Sequence, residues 1–353
     1  METINRKIQV AVIIVAYNGR ADLERCLPSV IAAKQNNHDR HIIVVDNASA
    51  DGSADYANSH SDIEVIREEK NLGFSGGNNV ALRLALDRNY DYGVLLNQDT
   101  VVEPNWLDEL VIAAENNHDA GAVQSLITLY PAEDKVNSWG NYLHYLGFGF
   151  AGGNGQSIKL APTVVREITY PSGAAVLLRV KTLREIGVLD EFLFMYHEDL
   201  ELGWRMWISG WRVLIAPLSV VHHAYTFRKS TDKFYLMERN RWLVLLTHWR
   251  WGTVLVLAPM LLAVEIGQLL FSANRGELRK RLGLYPELLS DKTRSYVYHQ
   301  RRYLNKLRCR PDRTILHWCV GTIQFQELHS MALPIVNPLM EIYFRFVRLV
   351  VWW

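Results

Sequence analysis

Two carboxylates in different local patterns are the chain's clearest chemical equipment. The first closes the run Leu95-Leu96-Asn97-Gln98-Asp99-Thr100, where an apolar, strand-like segment meets an amide and a carboxylate two positions apart. Side chains at i and i+2 of an extended chain point the same way. Asn97 and Asp99 can therefore offer two oxygens to one hard cation, with Mg²⁺ or Mn²⁺ as the natural occupant. The second carboxylate lies in His197-Glu198-Asp199-Leu200-Glu201-Leu202-Gly203-Trp204-Arg205. Helical spacing would bring Glu198, Glu201 and Arg205 near one face, with Glu201 and Arg205 forming a surface ion pair. Asp199 needs no such partner, and a carboxylate at the head of a helix can take the proton of an attacking hydroxyl. Val220-Val221-His222-His223 adds imidazoles at a strand end, one of which could complete the shell of a cation at Asp99.

Two further segments carry binding chemistry. In Asp46-Asn47-Ala48-Ser49-Ala50-Asp51-Gly52-Ser53 the first carboxylate could accept a hydrogen bond from a pyrimidine N–H, although an Asx-turn and helix cap would use the same residues. In Asn71-Leu72-Gly73-Phe74-Ser75-Gly76-Gly77-Asn78-Asn79 three glycines allow close backbone approach ahead of a helix whose N-terminus favours an anion such as a diphosphate. A plain glycine turn before a helix is the competing explanation. This segment matches neither GxGxxG nor GxxxxGK[ST].

These residues need a scaffold, and the sequence outlines one. The segments Ile8–Ala16, His41–Val45 and Tyr92–Leu96 are short, apolar and end in polar residues, as buried parallel strands do. Helical patterns lie around them at Arg20–Ala33, Gly76–Asp87 and Trp106–Glu115, the last opened by Pro104. Alternation of this kind gives an α/β sheet whose ligands sit beyond the carboxyl ends of the strands. A second block, Ile168–Val221, continues the same domain, with the strand-like TYPSGAAVLLRV and RVLIAP around a helix from about Lys181 and the acidic segment. The expected division is a catalytic domain over 1–230, with its nucleotide half at 1–100 and its metal and acceptor half at 101–230. A helical, basic and Trp-rich region over 231–353 follows.

With 353 residues and 49% hydrophobic composition, the chain can bury a large core, and disorder is excluded. Cys26, Cys309 and Cys319 show no CxxC spacing, so neither a disulfide framework nor a zinc ribbon is expected, and the cytosol suits the chain best. The first residues lack the length and cleavage site of a signal peptide. The net charge of +1 conceals a segment, Asn274–Arg313, with 12 Lys or Arg against 4 Asp or Glu. Six of the eleven Trp fall from Trp242 onward. The apolar run Thr253–Val264 contains Pro259 and is short for a spanning helix, and the tail mixes aromatics with Arg345 and Arg348. Peripheral attachment to an anionic membrane surface is the expectation. The same segments would also serve as a helical subdomain or as a homo-oligomer interface. No nucleic-acid-binding motif accompanies the basic stretch.

Taken in order, VIIVAYN, VVDNASADGS, NLGFSGGNN, LLNQDT, SGAAVLLR, MYHEDLELGWR and VVHH closely resemble glycosyltransferase family 2, inverting enzymes of the GT-A fold. The rhamnosyltransferase-like branch of polysaccharide biosynthesis is the nearest match. The resemblance covers roughly residues 8–230. It implies a Rossmann-like, mainly parallel sheet flanked by helices, followed here by the membrane-associating helical region. It further implies that Ala16, Tyr17, Asn18, Asp46 and Asn47 hold the nucleoside, and that Asn71, Phe74, Gly76, Gly77 and Asn78 lie beside the nucleotide sugar. Asn97, Gln98 and Asp99 would meet the donor's diphosphate, with Asp99 on the cation. Gly173, Ala174, Glu198 and Arg205 would line the diphosphate and acceptor side, and Asp199 would be the base. A metal-binding histidine of the family corresponds to His222 or His223, with His222 favoured.

The chain departs from the family in Asn97, which stands where Asp is commonest, in Glu201, where many relatives have Asp, and in Ala224-Tyr225-Thr226 after the histidines. The implied reaction moves a sugar, L-rhamnose from dTDP-rhamnose, onto a polyprenyl-diphosphate-linked saccharide at the cytoplasmic face of a bacterial inner membrane. A UDP-hexose or UDP-N-acetylhexosamine donor is the alternative within the family, since Asp46 could pair with uracil or thymine alike. A sugar nucleotidyltransferase would need a glycine-rich N-terminal loop with a basic residue, which is absent. A non-catalytic nucleotide-binding membrane subunit is encouraged by Asn97 and opposed by Asp99, Asp199 and His222.

Overall fold

The computed structural model describes residues 7–36, 38–225, 231–324 and 333–353. The first residues of the chain, the expected boundary near residue 230 and Thr226 lie outside them.

Strand β1 (Ile8–Ala16), helix α1 (Arg20–Ala32), β2 (His38–Asp46), α2 (Ser53–Asn58), β3 (Ile63–Arg67), α3 (Gly73–Asp87) and β4 (Tyr92–Asn97) alternate as expected. They are followed by β5 (Thr100–Val102), α4 (Trp106–Glu115), β6 (Ala120–Leu129), β7 (Val136–Ser138), β8 (Asn141–His144), β9 (Gly149–Ala151), β10 (Arg166–Glu167), β11 (Ala175–Arg179), α5 (Val180–Ile186), α6 (Glu198–Ile208) and β12 (Arg212–His223). The main sheet runs β10-β12-β6-β11-β4-β1-β2-β3, with β5 on β12 and β7 on β6. Pairings β3-β2, β2-β1, β1-β4 and β6-β12 are parallel, and β11 runs antiparallel between β4 and β6.

The apolar residues of β1 and β4 are buried on both faces because helices cover both sides, which is why these strands read as unbroken hydrophobic runs. Leu23, Leu27 and Val30 of α1 and the fully buried Trp106 of α4 join Val12, Ile14, Val94 and Leu96 in one core cluster. β3 and β6 escaped the sequence reading. β3 alternates only weakly, and β6 (AGAVQSLITL) carries small and polar residues that are nonetheless buried.

The C-terminal part is helical: α7 (Thr231–His248), α8 (Trp251–Asn274), α9 (Leu278–Leu282), α10 (Leu284–Leu289), α11 (Asp291–Leu307), α12 (Asp312–Trp318) and α13 (Leu333–Val350), with the short β13 (Cys319–Val320) pairing with β8. The chain divides into two compact units. One holds the chain up to Asn141, Ala151–Met206 and the stretch from Trp211 through β12. The other holds Tyr142–Phe150, Trp207–Gly210 and the C-terminal helices. Pro259 lies inside a continuous helix. α8 continues through it for 24 residues, long and apolar enough by length and composition to cross a membrane.

Candidate active site

The polar ends of β1, β2, β4, β11 and β12 gather at one sheet edge, as the topology of an open α/β sheet requires. The backbone ties them together. Asn47 N–H donates to the Ala16 carbonyl at 2.8 Å, linking β2 to β1. Asn97 N–H donates to the Ala174 carbonyl at 2.9 Å, linking β4 to the start of β11. Gly173, next to Ala174, donates its N–H to Asp199 Oδ2 at 3.3 Å. The segment holding Asp99 and the head of α6 holding Asp199 are thus joined through two consecutive residues.

Asp99 follows β4 directly, and the last residue of β12 faces it. His223 Nε2 lies 3.1 Å from Asp99 Oδ1, and Asn97 Nδ2 lies 3.5 Å from the same nitrogen. The other imidazole nitrogen, Nδ1, is 3.0 Å from Asn137 Oδ1 on β7. His222, favoured from the sequence, does not face Asp99. Alternation along β12 turns His222 the other way, where Nδ1 meets Thr128 Oγ1 at 2.7 Å and Nε2 meets Glu103 Oε1 at 2.9 Å. Burial alone would raise the Asp99 carboxyl, but the hydrogen bond and charge of His223 outweigh it and hold the group below the usual carboxylate range.

Asp99 and His223 are the pair that could hold a divalent cation. A hard carboxylate oxygen and an imidazole nitrogen aimed at one point suit Mn²⁺ or Mg²⁺. Among the described residues no group of three or more His, Cys, Asp or Glu forms a complete metal cluster. Two protein ligands of this kind would leave room for phosphate oxygens in the shell of such a cation.

At the head of α6, Asp199 is half-buried. Its Oδ1 accepts from Leu200 N–H at 2.7 Å and its Oδ2 from Gly173 N–H. Burial pushes its carboxyl up to about 6, although these N–H groups favour the charged form. Glu198 is buried more deeply. Burial, reinforced by the neighbouring charge of Asp199, raises it well above the ordinary range, and its Oε2 meets no partner among the described residues. Tyr196 and His197 hold positive φ of 69° and 70° just before the helix, a local conformation costing about 1–3 kcal/mol per residue that the surroundings must sustain. The sequence gives no sign of that kink.

Arg205 also departs from expectation. Its guanidinium donates to Glu201 Oε2 at 2.6 Å and to the carbonyls of Ile186 and Val188 at 2.5 and 2.8 Å, and both members of the ion pair are buried rather than on the surface. It anchors α6 to the end of α5. The glycine-rich segment is corrected too, since α3 already begins at Gly73. A Cβ at Gly77 would lie 2.8 Å from Val15 Cγ1, and one at Gly76 would lie 2.7 Å from Leu72 Cβ. Gly77 thus lets α3 press onto β1, and Gly76 leaves room for Leu72 at the entry to the helix. Asn47 donates to Asn71 Oδ1 and to the Gly73 carbonyl and accepts from Leu72 N–H, so Asn47 and Asn71 shape the entry to α3. Asn78 donates to the Phe74 carbonyl, and Gln98 accepts from Tyr17 N–H at 3.0 Å while lying over Gly19.

What stays open at this edge is compact. Tyr17 is 47% exposed. Asn18, in a left-handed conformation, accepts from Ala50 N–H and so braces the 46–53 turn. Asp46 is buried, its Oδ2 accepting from Ser49 N–H, while Oδ1 meets no partner among the described residues. Asp51, not Asp46, makes the capping contacts to Ser53. Phe74 packs against Gly173, where a Cβ would come within 2.9 Å of its ring.

The chain matches the model of glycosyl transferase family 2 over residues 11–187. It is 24% identical over 243 residues to the low-salt glycan biosynthesis hexosyltransferase Agl10 of Haloferax volcanii, covering 66% of this chain and 74% of that one. It is 28% identical over 233 residues to the N-acetylglucosaminyl-diphospho-decaprenol L-rhamnosyltransferase of Mycobacterium tuberculosis, covering 60% and 75%. Among solved structures it resembles GalNAc-T7 with UDP, GalNAc and Mn²⁺, at TM-score 0.57 and 18% identity over 69% of this chain, spanning 48% of that one. It also resembles the mannosyltransferase PcManGT of Pyrobaculum calidifontis with GDP-Man and Mn²⁺, at TM-score 0.50 and 16% identity over 86% of both chains. At these identities the structural likeness is one of fold.

Proposed function

The chain belongs to glycosyl transferase family 2, and from that premise we propose that it is a metal-dependent, inverting glycosyltransferase that moves a sugar from a nucleotide donor to a lipid-linked saccharide. The observation that carries this reading is the pairing of two unlike carboxylates at one sheet edge. Asp99 faces His223 and is kept ionised, while Asp199 is raised to about 6, close to a working pH. A group that must gain a proton during reaction works best with such a value.

In this mechanism Asp46 Oδ1, buried and unpartnered among the described residues, accepts the imino N–H of a uracil or thymine. Tyr17 flanks the base. Asp99 and His223 would hold Mn²⁺ or Mg²⁺, which would supply positive charge at the departing diphosphate. Asp199, oriented by the N–H groups of Gly173 and Leu200, takes the acceptor's hydroxyl proton as that oxygen attacks the anomeric carbon from the side opposite the diphosphate. The glycosidic bond forms, the bond to the diphosphate breaks, and the configuration inverts.

L-Rhamnose from dTDP-rhamnose is the donor we favour, supported by the similarity to the mycobacterial rhamnosyltransferase. UDP-hexoses and UDP-N-acetylhexosamines are the competing donors. The setting is bacterial surface polysaccharide assembly, with the protein attached peripherally at the cytoplasmic membrane face. The test is a panel of dTDP-rhamnose, UDP-hexoses, UDP-N-acetylhexosamines and GDP-mannose, with Mn²⁺ and lipid-linked acceptor extract, followed by nucleoside diphosphate release. Release with one donor, dependent on acceptor, supports the reading. Tight nucleotide binding without release from any donor would instead favour a non-catalytic binding subunit.

A further inference from the structure

Within the C-terminal unit, α8 turns only a narrow stripe inward: Thr253, Leu257, Leu261 and Glu265, each four residues from the last. Trp251, Leu255, Leu262, Ile266, Leu270 and Phe271 are exposed, Leu255 to 72%. No charged side chain lies on that outer arc. The packing partner α13 continues the pattern. Tyr343 Oη donates to the Val256 carbonyl at 2.7 Å and Trp353 Nε1 to Thr253 Oγ1 at 2.9 Å, while Ile335, Leu339, Ile342 and Leu349 are exposed. Such a surface greatly exceeds scattered apolar exposure.

What covers it is indicated by the polar groups around it. Arg250 and Arg275 flank α8 at its two ends and are exposed, and Arg345 and Arg348 are exposed on α13. Tryptophans and cations bordering an apolar face match a headgroup layer. A seam for a second copy would instead be narrow and rimmed by charges. Whether α8 crosses the bilayer is decided by Glu265. Its carboxylate is buried and bound by Arg281 at 2.8 Å and Tyr285 at 2.6 Å, and Arg281 also reaches Glu238, which pairs with Arg241 at 2.9 Å. Glu265 lies about 21 Å along the helix from Trp251 at ~1.5 Å per residue. In a spanning helix the whole four-charge network would therefore sit inside a hydrocarbon layer about 30 Å thick.

We propose that α8 and α13 lie in the plane of one leaflet of an anionic lipid bilayer, immersing their outer apolar faces while the Glu238–Arg241–Glu265–Arg281 network faces the protein. The inference rests on the membrane-attached reading above and names the surface and its pose. The full chain is floated with vesicles of phosphatidylcholine alone or mixed with phosphatidylglycerol. The protein floats with the mixed vesicles, and Leu262→Glu combined with Leu270→Glu, or Ile342→Glu with Leu349→Glu, lowers partitioning more than about tenfold, as charges in an apolar layer must. Leu218→Glu, an exposed apolar site of the other unit, leaves flotation unchanged, and melting curves confirm that each variant is folded. In a Cys309→Ser background, Arg250→Cys and Asn274→Cys, at the two exposed ends of α8, both react with an impermeant maleimide added on the protein's side of the vesicles. Protection of one end would mean a spanning helix and overturn the pose. Absence of flotation, with a dimer in solution that Leu262→Glu dissociates, would assign the face to a second copy and overturn the proposal. Neither readout uses a donor sugar, so failure of transfer and failure of docking are separable.

Discussion

Asp199 and Glu198 are adjacent, yet their surroundings separate them: one is half-buried with two N–H partners, the other buried with an oxygen that meets none among the described residues. Both carboxyls are raised, Asp199 to about 6. A base must be ionised, so kcat/KM should fall as pH drops through about 6 and level off above it, as a pH–rate profile would show. Linkage runs the opposite way for stability. A folded-state pKa above the unfolded value means the native protein binds more protons, so stability is full below about 4 and declines as pH rises through about 6. Asp199→Asn should therefore stabilise the fold at pH 7 by on the order of 1 kcal/mol, and Glu198→Gln should stabilise it as well, both read by chemical denaturation. Only the former should abolish transfer. His223→Ala should raise the Mn²⁺ concentration needed for half-maximal rate by about tenfold or more, whereas His222→Ala, which breaks contacts to Thr128 and Glu103, should leave that concentration unchanged. The two carboxylates were legible in the sequence because their patterns mark strand end and helix start. Choosing which of the adjacent histidines faces Asp99 was not, because it depends on the register of β12 in the sheet and hence on the side to which each imidazole turns.

At the scale of elements, the alternating strands and helices were readable wherever burial is two-sided and the residues are apolar, as in β1 and β4. β6 was not, because its buried Gln124, Ser125 and Thr128 are satisfied by partners distant in sequence, such as Ser138, Ser219 and His222. The glycine-rich segment was recognised, but the close packing that Gly77 permits was not, since only the folded chain brings Val15 under it. Gly77→Ala should force α3 away from β1 and cost about 1–3 kcal/mol in thermal unfolding. The buried Glu201–Arg205 pair has a similar standing. Arg205→Met would leave Glu201 without its guanidinium partner and free the α5–α6 connection. A loss of about 3–5 kcal/mol is expected, together with a fall in kcat greater than any change in KM, because Asp199 rides on that helix.

Across the whole molecule, composition announced the two regimes of the chain: an α/β part of balanced patterning, and a Trp-rich, locally basic remainder. The pose of that remainder was hidden, because an apolar run interrupted by Pro259 and Glu265 reads as broken until Glu265 is seen to turn inward onto Arg281. Charge asymmetry of this kind predicts that association with anionic vesicles weakens as salt rises, which flotation across an ionic-strength series would show. Catalysis and attachment then occupy different parts of one chain, and the proposed role of Asp199 as base belongs to the first. It is tested most directly by acceptor-dependent transfer from dTDP-rhamnose with Mn²⁺, comparing wild type with Asp199→Asn across pH. The account predicts wild-type transfer with an acid limb near 6 and, in the variant, a loss of about 10²–10⁴-fold at every pH. Transfer by Asp199→Asn at the wild-type rate with the same acid limb would contradict it.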